Sequence, residues 1–144
     1  MHCLVTGGAG FVGSHIVDQL VSQGDEVLVV DDLSTGKEAN LTPEARLVAV
    51  DIGDPSLLDL ASSFKPDVIS HCAAQASVTA SVSEPRRDAA TNIVGGINVC
   101  QAAIKSGCPR FIYVTTGGAL YGDPEYLPCD EEHPIRPTSP YGLS

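Results

Sequence analysis

The stretch Thr6-Gly7-Gly8-Ala9-Gly10-Phe11-Val12-Gly13-Ser14-His15 decides the fold of this chain, because it joins an apolar run to a helical pattern through closely spaced glycines. Glycine permits a tight turn and a close approach of the backbone to a pyrophosphate, which the N–H groups at the helix start can bind. Two registers fit: Gly8, Gly10 and Gly13 spell G-x-G-x-x-G, whereas Gly7, Gly10 and Gly13 spell G-x-x-G-x-x-G. A plain strand–helix turn is the alternative, and the flanking strand, the helix and a later acidic residue favour a phosphate site.

Apolar runs of strand length alternate with helical periodicity along the rest of the chain. We predict strands over residues 2–6, 26–31, 46–51, 67–72 and 110–115. We predict helices over residues 10–23, after Asp54-Pro55, over 84–106 and from Pro140 onward, with one weak helical turn within 33–42. Residues 117–139 are predicted to be irregular. This alternation predicts an α/β fold with a doubly wound parallel sheet, Rossmann-like, in one domain that spans residues 1–144.

The composition excludes several classes of partner and site. A net charge of −10 over 144 residues argues against nucleic acid and anionic membranes as partners. No apolar run is long enough to cross a bilayer and no secretory leader is recognisable, so we expect a cytoplasmic protein. The five cysteines show no disulfide or C-x-x-C pattern, and the four histidines have no metal-ligand spacing, so no metal is expected.

An acidic pair closes the second predicted strand. In a dinucleotide-binding fold, Asp31 lies where a carboxylate binds the hydroxyls of the adenosine ribose. A carboxylate would repel the 2′-phosphate of NADP, so Asp31 and the neighbouring Asp32 favour NAD. The alternative is a solvated acidic turn before the next loop.

Two further strand ends belong to the same rim of the predicted sheet. At Asp51-Ile52, the carboxylate could accept from the adenine amino group and the Ile52 N–H could donate to a ring nitrogen, or the segment could cap the next helix. The small residues of Cys72-Ala73-Ala74-Gln75 would let a flat ring or a phosphate approach the backbone. We expect the preceding His71 to satisfy a buried hydrogen bond rather than perform chemistry.

The remaining polar candidates lie on the long helix and near the end of the chain. Asparagine has a poor helix propensity, and of the two mid-helix asparagines we expect Asn92 to contact the ligand or the neighbouring loop and Asn98 to be structural. Thr115-Thr116 ends the fifth strand, where a hydroxyl could bond a reacting sugar oxygen. Tyr141 is the residue we expect to transfer a proton, the alternative being a packing tyrosine.

These motifs together resemble the extended short-chain dehydrogenase/reductase family, and within it the NAD-dependent nucleotide-sugar epimerases and dehydratases, most of all the UDP-glucose 4-epimerase group. The resemblance runs over nearly the whole chain. Its motifs are residues 6–15, Val30-Asp31-Asp32-Leu33-Ser34-Thr35-Gly36, Asp51-Ile52, His71-Cys72-Ala73-Ala74-Gln75, Thr91-Asn92-Ile93-Val94-Gly95, Leu120-Tyr121-Gly122 and Pro140-Tyr141-Gly142-Leu143-Ser144.

The resemblance implies an enzyme that uses NAD and acts on a nucleotide sugar. Tyrosinate would take the proton of the sugar 4-hydroxyl while C4 gives hydride to NAD; an epimerase returns the hydride to the other face, whereas a dehydratase carries the keto sugar onward. The implied catalytic residues are Tyr141 and Thr116, because Gly117 occupies the usual position of the family serine. The implied NAD contacts are Gly7, Gly10, Phe11, Val12, Gly13, Asp31, Asp32, Ser34, Thr35, Gly36, Asp51, Ile52, Cys72, Ala73, Ala74, Gln75 and Asn92.

The resemblance also implies that the chain is the N-terminal cofactor portion of a longer enzyme. The family's catalytic lysine would follow Ser144 and the sugar-binding part would lie beyond it, so we expect these residues alone to be catalytically poor. A non-catalytic NAD-binding module, favoured by Gly117, and a pure interaction domain are the competing interpretations. We further expect the fifth strand to be an unpaired sheet edge with incomplete helix cover, and the protein to be a homo-oligomer.

Overall fold

A five-stranded parallel sheet forms the centre of the computed structural model, which describes all residues from 1 to 144. The strands are β1 (His2–Thr6), β2 (Glu26–Asp31), β3 (Arg46–Ala49), β4 (Val68–His71) and β5 (Phe111–Tyr113), in the spatial order β3-β2-β1-β4-β5. The strand order reverses between β1 and β4, and in such sheets a crevice opens there at the carboxyl ends of the strands. The predicted doubly wound α/β fold is therefore confirmed.

Helices cover both faces of the sheet. They are α1 (Phe11–Ser22), α2 (Ser56–Phe64), α3 (Val78–Ser83), α4 (Pro85–Ala89), α5 (Gly96–Ser106), α6 (Gly117–Leu120) and α7 (Pro140–Leu143), with a 3₁₀ turn at Glu38–Asn40 and a π-helical segment at Ala90–Gly95. The 3₁₀ turn confirms the weak helical turn predicted within residues 33–42. None of these helices combines the length and the apolar character that crossing a membrane requires.

Two apolar clusters lie on opposite faces of the sheet. On one face, Val17 of α1 packs with Val5 of β1 and Val29 of β2. On the other face, Leu57 of α2 and Val99 of α5 pack with residues of β1, β2 and β4. Because the central strands are buried on both faces, their sequences are continuous apolar runs without alternation.

The ends of the helices follow from recognisable residues. Gly24 after α1 and Gly107 after α5 have φ values of 82° and 71°, a region in which glycine carries no steric penalty. At the start of α2, the Asp54 carboxylate accepts a hydrogen bond of 2.8 Å from the Ser56 N–H. Pro55 between them already has helical dihedral angles, so the predicted cap and proline start are confirmed.

The prediction of one regular helix over residues 84–106 is wrong in its interior. The chain passes from α4 through the π segment into α5, so the helical path is continuous but its hydrogen-bond spacing changes. At Gly95, a Cβ atom would lie 2.8 Å from the side chain of Ile52, so the helix approaches the loop after β3 closely there. Apolar periodicity does not report such a local change of winding.

Two short helices were not predicted. Ser77 caps α3 by accepting a hydrogen bond of 3.2 Å from the Ala80 N–H, but five of the six residues that follow are Val, Thr or Ser, which have low helix propensities. α6 lies within the stretch predicted to be irregular and begins with two glycines. The last three strands are also two to three residues shorter than predicted, since strand ends depend on pairing and not on composition.

β5 forms one edge of the sheet. It pairs only with β4, and all three of its residues are exposed. Ile112 of β5 is 54% exposed, and Ile97 and Ile104 of α5 are exposed to 54% and 80%. The expected unpaired edge with incomplete helix cover is confirmed.

Candidate functional site

The glycine turn between β1 and α1 forms the floor of a cavity of about 660 Å³. Gly7 has a φ of 67°, and a Cβ on it would lie 2.6 Å from the backbone nitrogen of Ala73. A Cβ on Gly13 would lie 2.1 Å from the Gly7 carbonyl oxygen. Gly8 instead packs inward, where a Cβ would lie 2.7 Å from Val29. The register that faces the cavity is therefore Gly7, Gly10 and Gly13, while Gly8 lets α1 approach the sheet.

The start of α1 presents free backbone donors to this cavity. The first hydrogen bond of the helix is donated by the Ser14 N–H to the Gly10 carbonyl at 3.0 Å. The N–H groups of Phe11, Val12 and Gly13 precede it and point out of the helix end, where the helix dipole is positive. These three residues line the cavity together with Gly7 and Gly10. Backbone amides at this position can bind a pyrophosphate.

Asp31 lies at the end of β2, where the sequence predicted a ribose-binding acid. It is only 6% exposed, yet it lines the cavity. Its Oδ2 accepts from the Ala9 N–H at 2.9 Å, and its Oδ1 accepts from the Leu33 N–H at 2.8 Å. Each carboxylate oxygen can accept a second hydrogen bond, so the side chain holds the glycine turn and keeps acceptor capacity for a ligand.

Only some residues of the loop after Asp31 line the larger cavity. Asp32, Ser34 and Thr35 line it, and Asp32 Oδ1 accepts from both the backbone N–H and the hydroxyl of Ser34 at 2.9 and 2.6 Å. Gly36 does not line the cavity. A Cβ on Gly36 would lie 2.9 Å from Asp31 Oδ1 and 3.0 Å from Ala9, so this glycine lets the loop pack against the glycine turn.

The end of β3 forms the distal wall of the cavity. Asp51 and Ile52 both line it, with Asp51 exposed and Ile52 buried in the core. Asp51 Oδ1 accepts from the Gly53 N–H at 2.6 Å. The Asp51 side chain therefore shapes the turn, while its exposed carboxylate remains accessible from the cavity.

His71, at the end of β4, satisfies a buried hydrogen bond as expected. Thr6 Oγ1 lies 2.6 Å from His71 Nδ1 and 3.3 Å from the backbone nitrogen of Ala73. The Thr6 hydroxyl can accept from the Ala73 N–H and still bond Nδ1 either as donor or as acceptor, depending on the imidazole tautomer. Burial lowers the pKa of His71 to about 4, and the ring is neutral at physiological pH.

The loop after β4 separates two cavities. Cys72, Ala73, Ala74 and Gln75 all line the larger cavity, and Ala73 and Ala74 also line a smaller one of about 160 Å³. Burial raises the pKa of the Cys72 thiol, so this cysteine is a small packing residue and not an activated thiolate.

Asn92 lies behind this loop and not in the larger cavity. It is 8% exposed and comes from the π-helical segment. Its Oδ1 accepts from the Gln75 N–H at 2.8 Å, and its Nδ2 donates to the Gln75 carbonyl at 3.1 Å. Of the two alternatives for Asn92, the structure shows the contact with the neighbouring loop. Asn98 is structural as expected, since its Nδ2 donates to the carbonyls of Ile52 and Asp54.

Tyr141 lines the smaller cavity beside Thr115. Residues from α6, α7 and β5 complete this cavity, and neither lysine nor arginine is among its lining residues. Thr116 is exposed and is not among them. It is the N-cap residue of α6, and its carbonyl accepts from the backbone N–H groups of Ala119 and Leu120. The structure thus places Tyr141 and Thr115, but not Thr116, around one cavity.

The larger cavity has the dimensions of a cofactor site. Its volume is about 660 Å³, within the usual range for small-molecule pockets. Sequence reasoning missed four of its lining residues, which are Ala76, Ser77, Arg87 and Thr91. Arg87 is the one cationic residue among the lining side chains, and its appearance in a strongly acidic chain was the signal that could have singled it out. No group of three or more metal-ligating side chains is present.

A dinucleotide fits the residues that line the larger cavity. The glycine turn leaves no room for side chains where the backbone donors converge, so the cradle is kept open for an anion. Asp31 lies at one end of the cradle, and the small residues of the β4 loop form the wall opposite. The described geometry is that of a Rossmann-type nucleotide site.

Comparison with known proteins extends this result. The sequence matches the NAD dependent epimerase/dehydratase family over residues 3–144. The UDP-glucose 4-epimerase of Mycolicibacterium smegmatis is 42% identical over 146 residues, which cover 98% of this chain and 47% of that protein. The chain thus spans about half the length of this relative.

Two solved structures are similar over nearly the whole chain. The UDP-glucose 4-epimerase of Thermotoga maritima with UDP-glucose has a TM-score of 0.96 and 46% identity, covering 99% of this chain and 47% of that chain. The UDP-glucose 4-epimerase of Thermus thermophilus in complex with NAD has a TM-score of 0.94 and 43% identity, with the same coverage of 99% and 47%. The protein therefore belongs to the NAD dependent epimerase/dehydratase family.

Proposed function

We propose that residues 1–144 are the NAD-binding portion of a nucleotide-sugar 4-epimerase of the UDP-glucose/UDP-galactose type. The observation that supports it best is the cavity at the switch point of the sheet, where the donors at the start of α1 and the Asp31 carboxylate converge. The similarity to UDP-glucose 4-epimerases over nearly the whole chain supports the substrate class. The substrate would be a nucleotide sugar, held mainly by parts of the enzyme outside these residues.

The residues of the larger cavity have distinct roles in this proposal. The amides of Phe11, Val12 and Gly13 bind the pyrophosphate, and Arg87 adds positive charge at the cavity wall. Asp31 accepts from the ribose hydroxyls and disfavours a 2′-phosphate. At the far wall, Asp51 and Ile52 contact the adenine. The NAD held in this way supplies a hydride acceptor and donor.

Tyr141 moves the proton in this proposal. Tyr141 lines the smaller cavity, which shares the loop of Ala73 and Ala74 with the larger one. A tyrosine accepts a proton efficiently only as tyrosinate, which a nearby cation stabilises. Because the lining residues of this cavity include no lysine or arginine, we infer that these 144 residues alone turn over sugar nucleotide poorly. Thr116, and Thr115 beside the tyrosine, are the candidate hydroxyls for the substrate oxygen.

Two alternatives belong to the same family. A nucleotide-sugar dehydratase would share the cofactor site and differ in the fate of the keto sugar. A non-catalytic NAD-binding module is favoured by Gly117 at the position of the family serine and by the exposure of Thr116. A cytoplasmic location is part of the proposal, supported by five cysteines that are all free, as is usual in a reducing compartment.

Two measurements test the proposal. Isothermal titration calorimetry with NAD and with NADP should show binding of NAD and a markedly weaker response to NADP. An assay of UDP-galactose conversion to UDP-glucose, with the protein expressed from its complete gene, then separates the alternatives. Formation of a 4-keto-6-deoxy sugar would favour the dehydratase, NAD binding without turnover would favour the module, and absence of NAD binding would overturn all three.

A further inference from the structure

A buried carboxylate connects the walls of the two cavities. Asp88 of α4 is 2% exposed, and its Oδ1 accepts from Gln75 Nε2 at 2.8 Å and from Asn92 Nδ2 at 3.3 Å. Both donors are neutral amides, and both hydrogen bonds reach the same oxygen. Asp88 therefore fixes the orientation of two side chains that belong to different parts of the site.

The first of these partners controls the loop after β4. Gln75 lines the larger cavity, and its backbone N–H and carbonyl both bond to the side-chain amide of Asn92. This paired contact resembles a single rung of a sheet and sets the plane of the peptide. Because Asp88 orients the amide of Asn92, it determines indirectly how the loop faces the larger cavity.

The second partner reaches the helix that carries the tyrosine. Asn92 Nδ2 donates to Ser144 Oγ at 2.9 Å, and Ser144 Oγ donates to the Tyr141 carbonyl at 3.1 Å. Asn92, Tyr141 and Ser144 all line the smaller cavity. A continuous chain of hydrogen bonds thus runs from the cofactor-side loop, through Asn92, to the tyrosine helix.

The two hydrogens of Asn92 Nδ2 face three acceptors, which are the Gln75 carbonyl, Asp88 Oδ1 and Ser144 Oγ, so the longest contact, at 3.3 Å to Asp88, shares a hydrogen with one of the others. Asn92 comes from the π-helical segment. π turns inside helices redirect side chains and occur often at functional sites. Asn92 lies within this segment and one helical turn beyond Asp88, so both side chains reach the loop from the same helix.

We propose that Asp88 is a positioning residue that couples the cofactor-binding loop to the tyrosine helix through Asn92 and Ser144. The proposal rests on the proposed function, since it assumes that NAD occupies the larger cavity. Ordering of the Gln75 loop by the dinucleotide would then be transmitted to α7, and the tyrosine would be held in place when the cofactor is bound. Asp88 itself touches neither cofactor nor substrate.

Hydrogen exchange measured by mass spectrometry tests the coupling, with calorimetry for NAD affinity. In the wild-type protein, NAD should slow exchange in residues 140–144 by about fivefold. Asp88→Ala should weaken NAD binding by about tenfold and abolish this protection, since two buried hydrogen bonds are lost. Asp88→Asn retains an oxygen at the Oδ1 position, so it should restore both properties to within about threefold of wild type.

A second variant keeps the test decisive if Asp88→Ala does not fold. Ser144→Ala removes only the last link, so it should bind NAD with an affinity within about threefold of wild type while losing the protection of residues 140–144. Asp59→Asn, an exposed carboxylate on α2, serves as the control and should change neither measurement.

The results of these experiments distinguish failure of the proposed coupling from failure of the proposed NAD-binding function. NAD binding without slower exchange in residues 140–144, or full protection in Ser144→Ala, would overturn the coupling and leave the cofactor site intact. Equal losses in Asp88→Asn and Asp88→Ala would show that charge rather than hydrogen bonding matters, and would also overturn it. Absence of NAD binding by the wild-type protein would overturn both.

Discussion

The carboxylate of Asp31 holds together the two loops that frame the larger cavity. Both oxygens are engaged, one by the Ala9 N–H and the other by the Leu33 N–H. In Asp31→Asn, the amide group has one acceptor oxygen, so its NH₂ must face one of these donors. We expect the free energy of unfolding to fall by about 1–3 kcal/mol and NAD affinity to fall by about tenfold.

Denaturant unfolding and calorimetry measure these two effects. The matched control is Asp32→Asn, because Asp32 is exposed and uses one oxygen, Oδ1, for both contacts with Ser34. An asparagine can reproduce those contacts, so stability should change by less than about 0.5 kcal/mol. Equal stability of the two variants would show that Asp31 does not anchor the glycine turn.

His71 should make stability depend on pH in the acidic range. Its pKa is lowered to about 4 by burial, below the ordinary value of 6.5, so the unfolded chain binds the proton more readily. The contribution is fully present above pH 6.5 and is lost as the pH falls from 6.5 towards about 4. The difference between these values corresponds to roughly 3 kcal/mol.

Urea unfolding at several pH values measures this dependence. His71→Asn keeps an acceptor for the Thr6 hydroxyl but does not titrate, so its stability should fall less between pH 6.5 and 4 than that of the wild type. His15→Asn, at an exposed position of α1, is the control and should follow the wild-type curve. Parallel curves for His71→Asn and the wild type would assign the acid sensitivity to other groups.

The sequence could locate individual site residues only where backbone position decides their role. Asp31 ends a buried strand and Ile52 follows the apolar run of β3, so their placement at the rim was predictable. Three features could not be predicted in this way: Gly36 packs against the glycine turn, Thr116 lies outside the smaller cavity, and Arg87 lines the larger one. These depend on contacts between segments far apart in sequence, which no local pattern encodes.

At the scale of elements, the junction between β1 and α1 is the least tolerant part of the fold. A Cβ on Gly13 would lie 2.1 Å from the Gly7 carbonyl oxygen, and the obstacle is backbone that cannot rotate away. Gly13→Ala should therefore lower the free energy of unfolding by about 1–3 kcal/mol, and the displaced turn should no longer bind NAD. Chemical denaturation and calorimetry give both quantities.

Gly118→Ala is the matched control, because Gly118 is also helical and the nearest atom to a Cβ there is 3.9 Å away. Replacement of a helical glycine without steric conflict stabilises a protein by about 0.4–1 kcal/mol. If Gly13→Ala behaved like Gly118→Ala, the close packing of the glycine turn would not be the reason for glycine at this position.

Sequence patterns predict the presence of most elements but not all of their boundaries or local winding. All five strands were predicted because each contains an apolar run, although only the central strands are buried on both faces and β3 and β5 are edge strands. Gly24 and Gly107 marked two helix ends. The π segment and α3 were missed, because each is fixed by tertiary contacts or by a single cap. The π segment carries Asn92, and α3 directly follows the Gln75 loop that Asn92 contacts, so the least predictable elements adjoin the site.

At the scale of the molecule, the order of the strands brings the site residues together. β1 and β4 are neighbours although more than sixty residues separate them, so the glycine turn and the loop of Ala73 meet at the switch point. The net charge of −10 is compatible with the proposed anion site, since the backbone donors and Arg87 act over short distances. Local geometry therefore outweighs global charge here.

The unpaired edge of the sheet at β5 predicts that the chain self-associates. β5 exposes an unpaired edge that carries the exposed Ile112, and α5 leaves Ile97 and Ile104 exposed; such edges promote pairing with a second chain. We expect the 144-residue chain to self-associate as the protein concentration rises, which light scattering coupled to size-exclusion chromatography measures.

Ile112→Lys places a charge on the edge strand and should shift the distribution towards the monomer. Val82→Lys alters an equally apolar and exposed residue on α3 and should not, because α3 is not part of the sheet edge. A chain that stays monomeric at high concentration, or an Ile112→Lys variant that associates like the wild type, would contradict association through this edge.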